Sequence, residues 1–177
     1  MKNANFKPYN PVAIANYFVI KAKDDKAKLD LLKLVKLVYL AYGWSLVILN
    51  QRLIDEAPEV WPYGPVCPTV YHTFKKWSNK KTISHTERFY DMTENKWTTP
   101  AIKDDEISVK RLLDTIWKMY YDLSGVDLSN LTHQEGSAWS VTKEENHGLR
   151  NCHISDNLIK EEFTVLNNLI NTKNNIE

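Results

Sequence analysis

The sequence predicts an all-α fold in which about six helices pack around a central apolar helix, with one minor short β element. Two observations support this prediction. Apolar side chains recur at the three- and four-residue spacing of amphipathic helices along much of the chain. In addition, residues 37–49 are apolar nearly all round, which is typical of a helix that other elements cover on most sides.

Capping signals locate the first two helices. Asn10 can cap the first, because its side chain can accept a backbone N–H and Pro11 suits the first helical position. Asp30 can cap the second in the same way, and the apolar pattern carries that helix to about Leu49. The apolar pattern of the first helix fades near residues 23–26, before this second cap.

The predicted central helix contains two lysines and one glycine. Lys33 and Lys36 fall outside its apolar stripe, so we expect both to face solvent. Gly43 lies in its middle, where glycine costs about 1 kcal/mol relative to alanine. A close approach by a neighbouring backbone or ring would explain this glycine.

The rest of the chain divides into shorter elements. In order, we predict extended pieces at 53–55 and 59–61, a rigid proline-rich bend at 61–68, a helix at 69–77, a loop with one weak hairpin to about residue 103, helices at 105–121 and 126–134, an irregular stretch after Gly136, and a last helix from Ser155 or Asp156 through Ile170. The apolar stripe of the helix at 105–121 is expected to include Ile107. We expect one domain over residues 1–177, with its core at about 9–170 and a frayed end at 171–177.

Composition and charge exclude several classes of protein. The net charge is +1, from 23 basic and 22 acidic residues, so no overall field attracts nucleic acid or a membrane surface. The longest uncharged apolar run, residues 37–49, is shorter than the ~20 residues that span a bilayer. The N-terminus lacks the apolar core of a signal peptide, and the two cysteines give no disulfide framework. These features predict a cytoplasmic protein with no membrane partner.

Metal and catalytic sites are not indicated. The two Cys and five His residues form no Cys-x-x-Cys or His-Glu-x-x-His spacing, so we expect no metal site and no cofactor. Cys67 precedes His72 by five residues, but Pro68 and a helix start intervene, and a buried Cys that acts as a small hydrophobe is the commoner role. We therefore expect no catalytic residues. A small hydrolase built on Cys67 and His72 is the enzyme alternative.

A cluster of lysines raises the alternative of nucleic-acid binding. Residues 75–81 contain four lysines around Trp77, which are the residue types that contact phosphates and stack on bases. Lysines are also common at the C-terminal end of a helix, where they complement the helix dipole. Without a helix-turn-helix signature, a nucleic-acid-binding regulator stays an alternative that a basic groove around residues 75–81 would favour.

Two bends stand out as rigid: residues 61–65 combine aromatic residues with prolines and a glycine, and residues 132–139 combine His133 and Trp139 with Gly136. Rings in a rigid loop lose little entropy on binding, so they are good anchors for a partner protein. The same tryptophans could instead close the ends of the core, and the sequence does not decide between these two roles. The candidate partner-binding residues in and next to the bends are Trp61, Tyr63, Pro65, His72, His133, Gln134 and Trp139.

Three sequence blocks together resemble one known family. They are residues 32–44 (LKLVKLVYLAYGW), 61–72 (WPYGPVCPTVYH) and 131–139 (LTHQEGSAW). In this order they are similar to the Panacea domain, also called the SocA-like antitoxin domain. The chain departs from the residues expected in that family at a few positions, which are Val35 for a polar residue, Tyr42 for His, Cys67 for an aliphatic residue and Ala138 for Pro.

The resemblance implies an antitoxin of a bacterial or prophage toxin–antitoxin system. Members of the family resemble proteins that neutralise unrelated toxins by direct complex formation, so the implied partner is a toxin encoded by a neighbouring gene. One branch acts as a proteolytic adaptor, and in that alternative a protease is a second partner. The family has no catalytic residues attached to it. A homo-oligomer is left open.

Overall fold

The computed structural model describes residues 7–174, and these contain seven α-helices and two short β-hairpins. The helices are α1 (Pro11–Asp24), α2 (Leu31–Trp44), α3 (Pro68–Phe74), α4 (Ile107–Tyr120), α5 (Gly125–Thr132), α6 (Ala138–Glu145) and α7 (Asp156–Asn174). The antiparallel hairpins pair β1 (Glu59–Trp61) with β2 (Gly64–Val66) and β3 (Phe89–Asp91) with β4 (Lys96–Thr98). Helix accounts for 54% of the chain. The predicted all-α class with a minor β element is confirmed.

Helix α2 is the central element. Every residue of it except Leu32 is buried, and it contacts α1, α3, α4, α5, α7 and β2. The Asp30 carboxylate caps its first turn by accepting the backbone N–H of Lys33 at 2.8 Å. At its other end the helix widens into a π-helical turn, Ser45–Leu49, and stops at Asn50 in a left-handed conformation. The predicted cap and end of this helix are both confirmed.

Gly43 on α2 allows α7 to approach closely. A β-carbon at Gly43 would lie 2.3 Å from the ring of Phe163. That ring also meets Tyr39 and Trp44 edge-on, with centroids 6.0 and 5.3 Å away. The expected close approach by a neighbouring ring is confirmed, and it explains a glycine in the middle of a helix.

The prediction that Lys33 and Lys36 face solvent is wrong. Their exposed fractions are 5% and 0%, because α2 is covered on these sides as well. The Lys33 ammonium donates to the carbonyl of Tyr121 at 2.5 Å, and the Lys36 ammonium donates to the carbonyl of Pro65 at 2.9 Å. The alkyl stems pack inside the protein while each charged end reaches a backbone acceptor.

Two further predictions need correction. Ile107 begins α4 and is 57% exposed, because the first turn of that helix extends beyond the core. The buried stripe starts instead at Val109.

The stretch after Gly136 was expected to be irregular, but it contains α6. Ser137 caps this helix, and the carboxylate of Glu162 on α7 accepts the backbone N–H of Ala138 at 2.9 Å.

The β3–β4 hairpin projects from the body of the protein, and the buried side chain of Asn16 holds its base. Asn16 on α1 donates to the carbonyls of Glu87 and Pro100, both at 3.0 Å, and accepts the N–H of Glu87 at 2.8 Å. Asn16 is 1% exposed, whereas Trp97 at the middle of β4 is 62% exposed. The hairpin therefore has a fixed base and an exposed arm.

Helix length raises the question of a membrane span. The helical stretch Leu31–Leu49 is long and apolar enough to cross a membrane by length and composition, and 78% of its most apolar window is buried inside the protein. Burial of this kind is what a core helix shows.

At the C-terminus α7 continues to Asn174, beyond the predicted end at Ile170. The expected fraying at 175–177 lies outside the described residues.

Candidate functional site

The β1–β2 hairpin holds the first predicted bend in one conformation. Trp61 pairs with Gly64, so Pro62 and Tyr63 form a tight two-residue turn. Gly64 has a φ of +95°, and a β-carbon there would lie 2.8 Å from the Lys36 ammonium nitrogen. The backbone conformation therefore favours glycine at this position, and a β-carbon would also displace the Lys36 ammonium.

Tyr63 stands at the tip of this turn with its ring outside. Its side chain is 74% exposed. Its carbonyl accepts the hydroxyl of Ser129 on α5 at 2.7 Å, which fixes the backbone beneath the ring. An exposed ring on a fixed backbone is the arrangement expected of an interface anchor.

A hydrogen bond from Lys36 connects the same hairpin to α2. Its ammonium donates to Pro65 at 2.9 Å, and burial lowers the pKa of this group from 10.5 to about 7. Cys67, two residues after Pro65, is fully buried, and burial raises the pKa of its thiol well above the ordinary value. A buried, protonated thiol does not act as a nucleophile at neutral pH.

Trp61 and Trp139 connect the two predicted bends. The indole N–H of Trp139 donates to the carbonyl of Trp61 at 3.0 Å. Trp61 is half-buried, and its ring meets Tyr71 and His72 edge-on, with centroids 4.9 and 5.9 Å away. On the other side, His133 meets the ring of Trp139 with centroids 5.4 Å apart. Residues from blocks that are far apart in sequence therefore form one cluster.

The predicted partner-binding residues divide by exposure. Tyr63, His72 and Gln134 are exposed, and Trp61 and His133 are half-buried. Pro65 and Trp139 are buried, the latter with an exposed fraction of 6%. Of the two roles that the sequence left open for the tryptophans, the core role fits Trp139, which supports Trp61 from behind.

A groove opens beside Tyr63, between α2, the β1–β2 hairpin and α3. Its volume is about 450 Å³. We call it the aromatic groove; its lining is mostly apolar and consists of Asp30, Leu31, Leu32, Val35, Lys36, Trp61, Pro62, Tyr63, Val66, Tyr71 and Ser78. Trp61 and Tyr63 were expected in a binding surface from the sequence, whereas the α2 residues of the groove and Tyr71 were not. Tyr71 lies within the second family-like block, which was the available signal.

Residues 34–140, from the central helix through the start of α6, match the sequence model of the family described as Antitoxin SocA-like, Panacea domain. The chain belongs to this family. It is also 30% identical over 156 residues to Antitoxin SocA of Caulobacter vibrioides, an alignment that covers 85% of this chain and 80% of that protein. No solved structure matches it significantly. The resemblance seen in the three sequence blocks is confirmed.

The Panacea domain has a second groove, formed by the π-helical turn, α4 and α7. Its volume is also about 450 Å³. We call it the second groove; it is lined by Trp44, Ile48, Leu49, Ser108, Arg111, Leu112, Thr115, Ile116, Met119, Asn167 and Ile170. None of these residues lines the aromatic groove, so the two grooves are separate surfaces.

Three observations bear on metal binding, hydrolase activity and nucleic-acid binding in this Panacea domain. Within residues 7–174, no group of three or more His, Cys, Asp or Glu side chains could hold a metal ion. His72 is exposed while Cys67 is fully buried, so the two do not face a common cleft. Trp77 stacks on His85 and donates its indole N–H to Glu87 at 3.0 Å, which occupies the ring proposed to stack on bases.

Proposed function

We propose that this Panacea domain is an antitoxin that neutralises a cognate toxin by direct protein–protein binding, without catalysis. The toxin is the product of a neighbouring gene, and the complex forms in the cytoplasm. Membership in an antitoxin family supports the antitoxin role. The single observation that supports a binding surface is Tyr63, a ring that is 74% exposed on a backbone held by Ser129 and Lys36 through neighbouring carbonyls.

The proposed surface is centred on the β1–β2 hairpin. Tyr63 is its anchor, Trp61 and His72 flank it, and His133 and Gln134 extend it towards α6. Because the hairpin is held in place before binding, the complex loses little conformational entropy when it forms. Pro65 and Trp139 are buried and do not contact the partner; they support the surface by holding the hairpin and Trp61 in position.

A proteolytic adaptor is the second candidate function, and the second groove is the observation in its favour. An adaptor has to contact a toxin and a protease at the same time, so it needs two separate surfaces. The second groove has exposed apolar side chains at its edge, including Ile48 and Met119 with exposed fractions of 53% and 43%. Exposed apolar patches of this kind mark interaction sites.

The experiment is to express the neighbouring reading frame alone and together with this chain. Direct neutralisation predicts that the neighbour stops growth, that co-expression restores it, and that the two proteins purify together. An adaptor predicts in addition that the toxin disappears from the cell when this chain is present and is stable in strains lacking the protease. A neighbour that neither inhibits growth nor co-purifies would contradict the proposed function.

A further inference from the structure

We propose that the aromatic groove receives an acidic, apolar anchor of the toxin, in which one large apolar side chain fills the groove and an adjacent carboxylate meets Lys75. This inference rests on the proposed function and specifies the chemistry of the partner. At the Tyr63 surface this chain supplies the anchoring side chain. At the aromatic groove the partner supplies the inserted side chain and this chain supplies the pocket.

The apolar half of the proposal follows from the groove walls. Leu31, Leu32 and Val35 on α2 line the groove together with the rings of Trp61 on β1 and Tyr71 on α3. A volume of about 450 Å³ lies within the range of pockets that bury small ligands, so it accommodates an aromatic or branched side chain. Clefts walled by aromatic and aliphatic side chains bind apolar groups, because burying such a group removes both surfaces from water.

The acidic half of the proposal follows from the rim. Tyr71 and Ser78 both line the groove, and Lys75 lies between them in the chain. Tyr71, Lys75 and Ser78 are spaced four and three residues apart along α3 and the helical turn that follows it, so Lys75 lies on the same helical face as these two lining residues. Lys75 is exposed and has no ion pair within residues 7–174, whereas its neighbour Lys76 is already paired with Glu87 at 2.6 Å.

Neither of the carboxylates near the groove forms an ion pair with Lys75 within residues 7–174. Asp30 is the acidic residue of the lining, and its carboxylate caps α2 through the N–H of Lys33. Glu59 accepts the indole N–H of Trp61 at 2.9 Å. Because neither carboxylate lies within ion-pair distance of Lys75, the Lys75 ammonium is available to a carboxylate of the partner.

A pair of small molecules with one ring and opposite charges tests the groove directly. Indole-3-acetate and tryptamine share the indole ring, but the first carries a carboxylate and the second an ammonium. We expect millimolar indole-3-acetate to shift the indole N–H resonance of Trp61 in nitrogen-15 NMR spectra and to leave that of Trp97 unchanged. Tryptamine should bind at least fivefold more weakly, and Lys75→Gln should remove the difference. Equal shifts from both molecules, or none at Trp61, would overturn the proposal.

Variants of the full chain test the same anchor against the toxin. Lys75→Glu should weaken toxin binding at least tenfold, and Ser78→Trp, which fills the groove from an exposed position, should weaken it at least as much. The matched controls are Arg111→Glu, an exposed cation in the second groove, and Asn79→Trp, an exposed neighbour of Ser78 that does not line the groove. Both controls should bind within twofold of the parent, and all four variants should melt within a few degrees of it.

The two levels of the proposal fail in different ways. If the parent chain forms no complex with its neighbour's product, the proposed function falls. If the parent binds while Lys75→Glu and Ser78→Trp bind equally well, the acidic anchor falls and direct neutralisation stands. If Arg111→Glu is the variant that loses affinity, the toxin occupies the second groove instead.

Discussion

The indole N–H of Trp139 donates to the carbonyl of Trp61 at 3.0 Å, across 78 positions of the chain. This bond joins α6 to the β1–β2 hairpin and gives the two tryptophans different roles. Trp139 is 6% exposed and fills space behind the hairpin, while Trp61 reaches the aromatic groove in front of it. The variants below separate residues that hold this surface from residues that contact a partner.

Tyr63→Ala should abolish or strongly weaken neutralisation and leave the fold intact. Its ring is 74% exposed, so truncation removes little buried surface. Loss of an interface anchor typically costs 2 kcal/mol or more of binding free energy, about a thirtyfold change in affinity. Melting temperature and toxin affinity should be measured on the same sample. Tyr90→Ala, an exposed tyrosine on the other hairpin, is the control and should bind like the parent; full affinity in Tyr63→Ala would move the interface elsewhere.

Trp139→Ala should destabilise the protein itself. Truncating a buried tryptophan costs about 3–5 kcal/mol, and the carbonyl of Trp61 also loses its donor. Affinity should fall too, because Trp61 and its hairpin lose their support. Urea denaturation followed by tryptophan fluorescence measures the first effect and a binding titration the second. A variant as stable as the parent would show that Trp139 does not support the core.

Gly43→Ala should destabilise the fold through Phe163. The new methyl group would lie 2.3 Å from the Phe163 ring, so α2 and α7 have to separate or the ring has to move. Overpacking of this kind costs about 1–3 kcal/mol, against the roughly 1 kcal/mol by which alanine favours a helix over glycine. In a Phe163→Leu background the same substitution should cost less. The test is a double-mutant cycle of unfolding free energies, in which equal costs in both backgrounds would rule out the ring contact.

Lys36 should make the stability of the protein depend on pH near neutrality. Burial lowers its folded-state pKa from 10.5 to about 7, so between these values the unfolded chain binds more protons than the folded one. The free energy of unfolding should therefore rise with pH, by up to about 1.4 kcal/mol per unit, from about pH 7 to about pH 8.5. Above that range Cys67, whose pKa burial raises, opposes the trend.

The matched variant for this measurement is Lys36→Met, which keeps the alkyl stem and removes the charge. Its unfolding free energy should change less with pH over the same range, because the remaining groups titrate as in the parent. Identical slopes in the two proteins would show that Lys36 stays charged when the protein is folded.

Local signals in the sequence predicted the parts of the fold that local interactions determine. Asn10 and Asp30 accept backbone N–H groups two or three residues away, so both caps were recognisable. Lys33 and Lys36 were misplaced because their acceptors, Tyr121 and Pro65, are distant in sequence. Helix α6 was missed for a related reason, since it is short, polar and capped in part by Glu162 on another helix.

In the candidate site, too, the features set by local sequence could be predicted and those set by long-range packing could not. Its rigid bends were visible as glycine, proline and aromatic residues close together, and Tyr63, whose ring is exposed, was among the candidates named in them. The aromatic groove could not be predicted, because its second wall comes from the start of α2 and its depth depends on tertiary packing. That residues 1–177 form one domain stays a prediction; the buried side chains of residues 7–174 form one contiguous cluster, which agrees with it.

The Asn16 contacts should allow residues 88–99 to be replaced without disturbing the rest of the protein. The chain leaves the body at Glu87 and returns at Pro100, and one buried amide holds both points. Whatever lies between them is closed at its base, and each doubling of such a loop costs only about 0.6 kcal/mol. We therefore expect that this arm can be lengthened, shortened or exchanged for a reporter sequence while the aromatic groove and the central helix keep their shape.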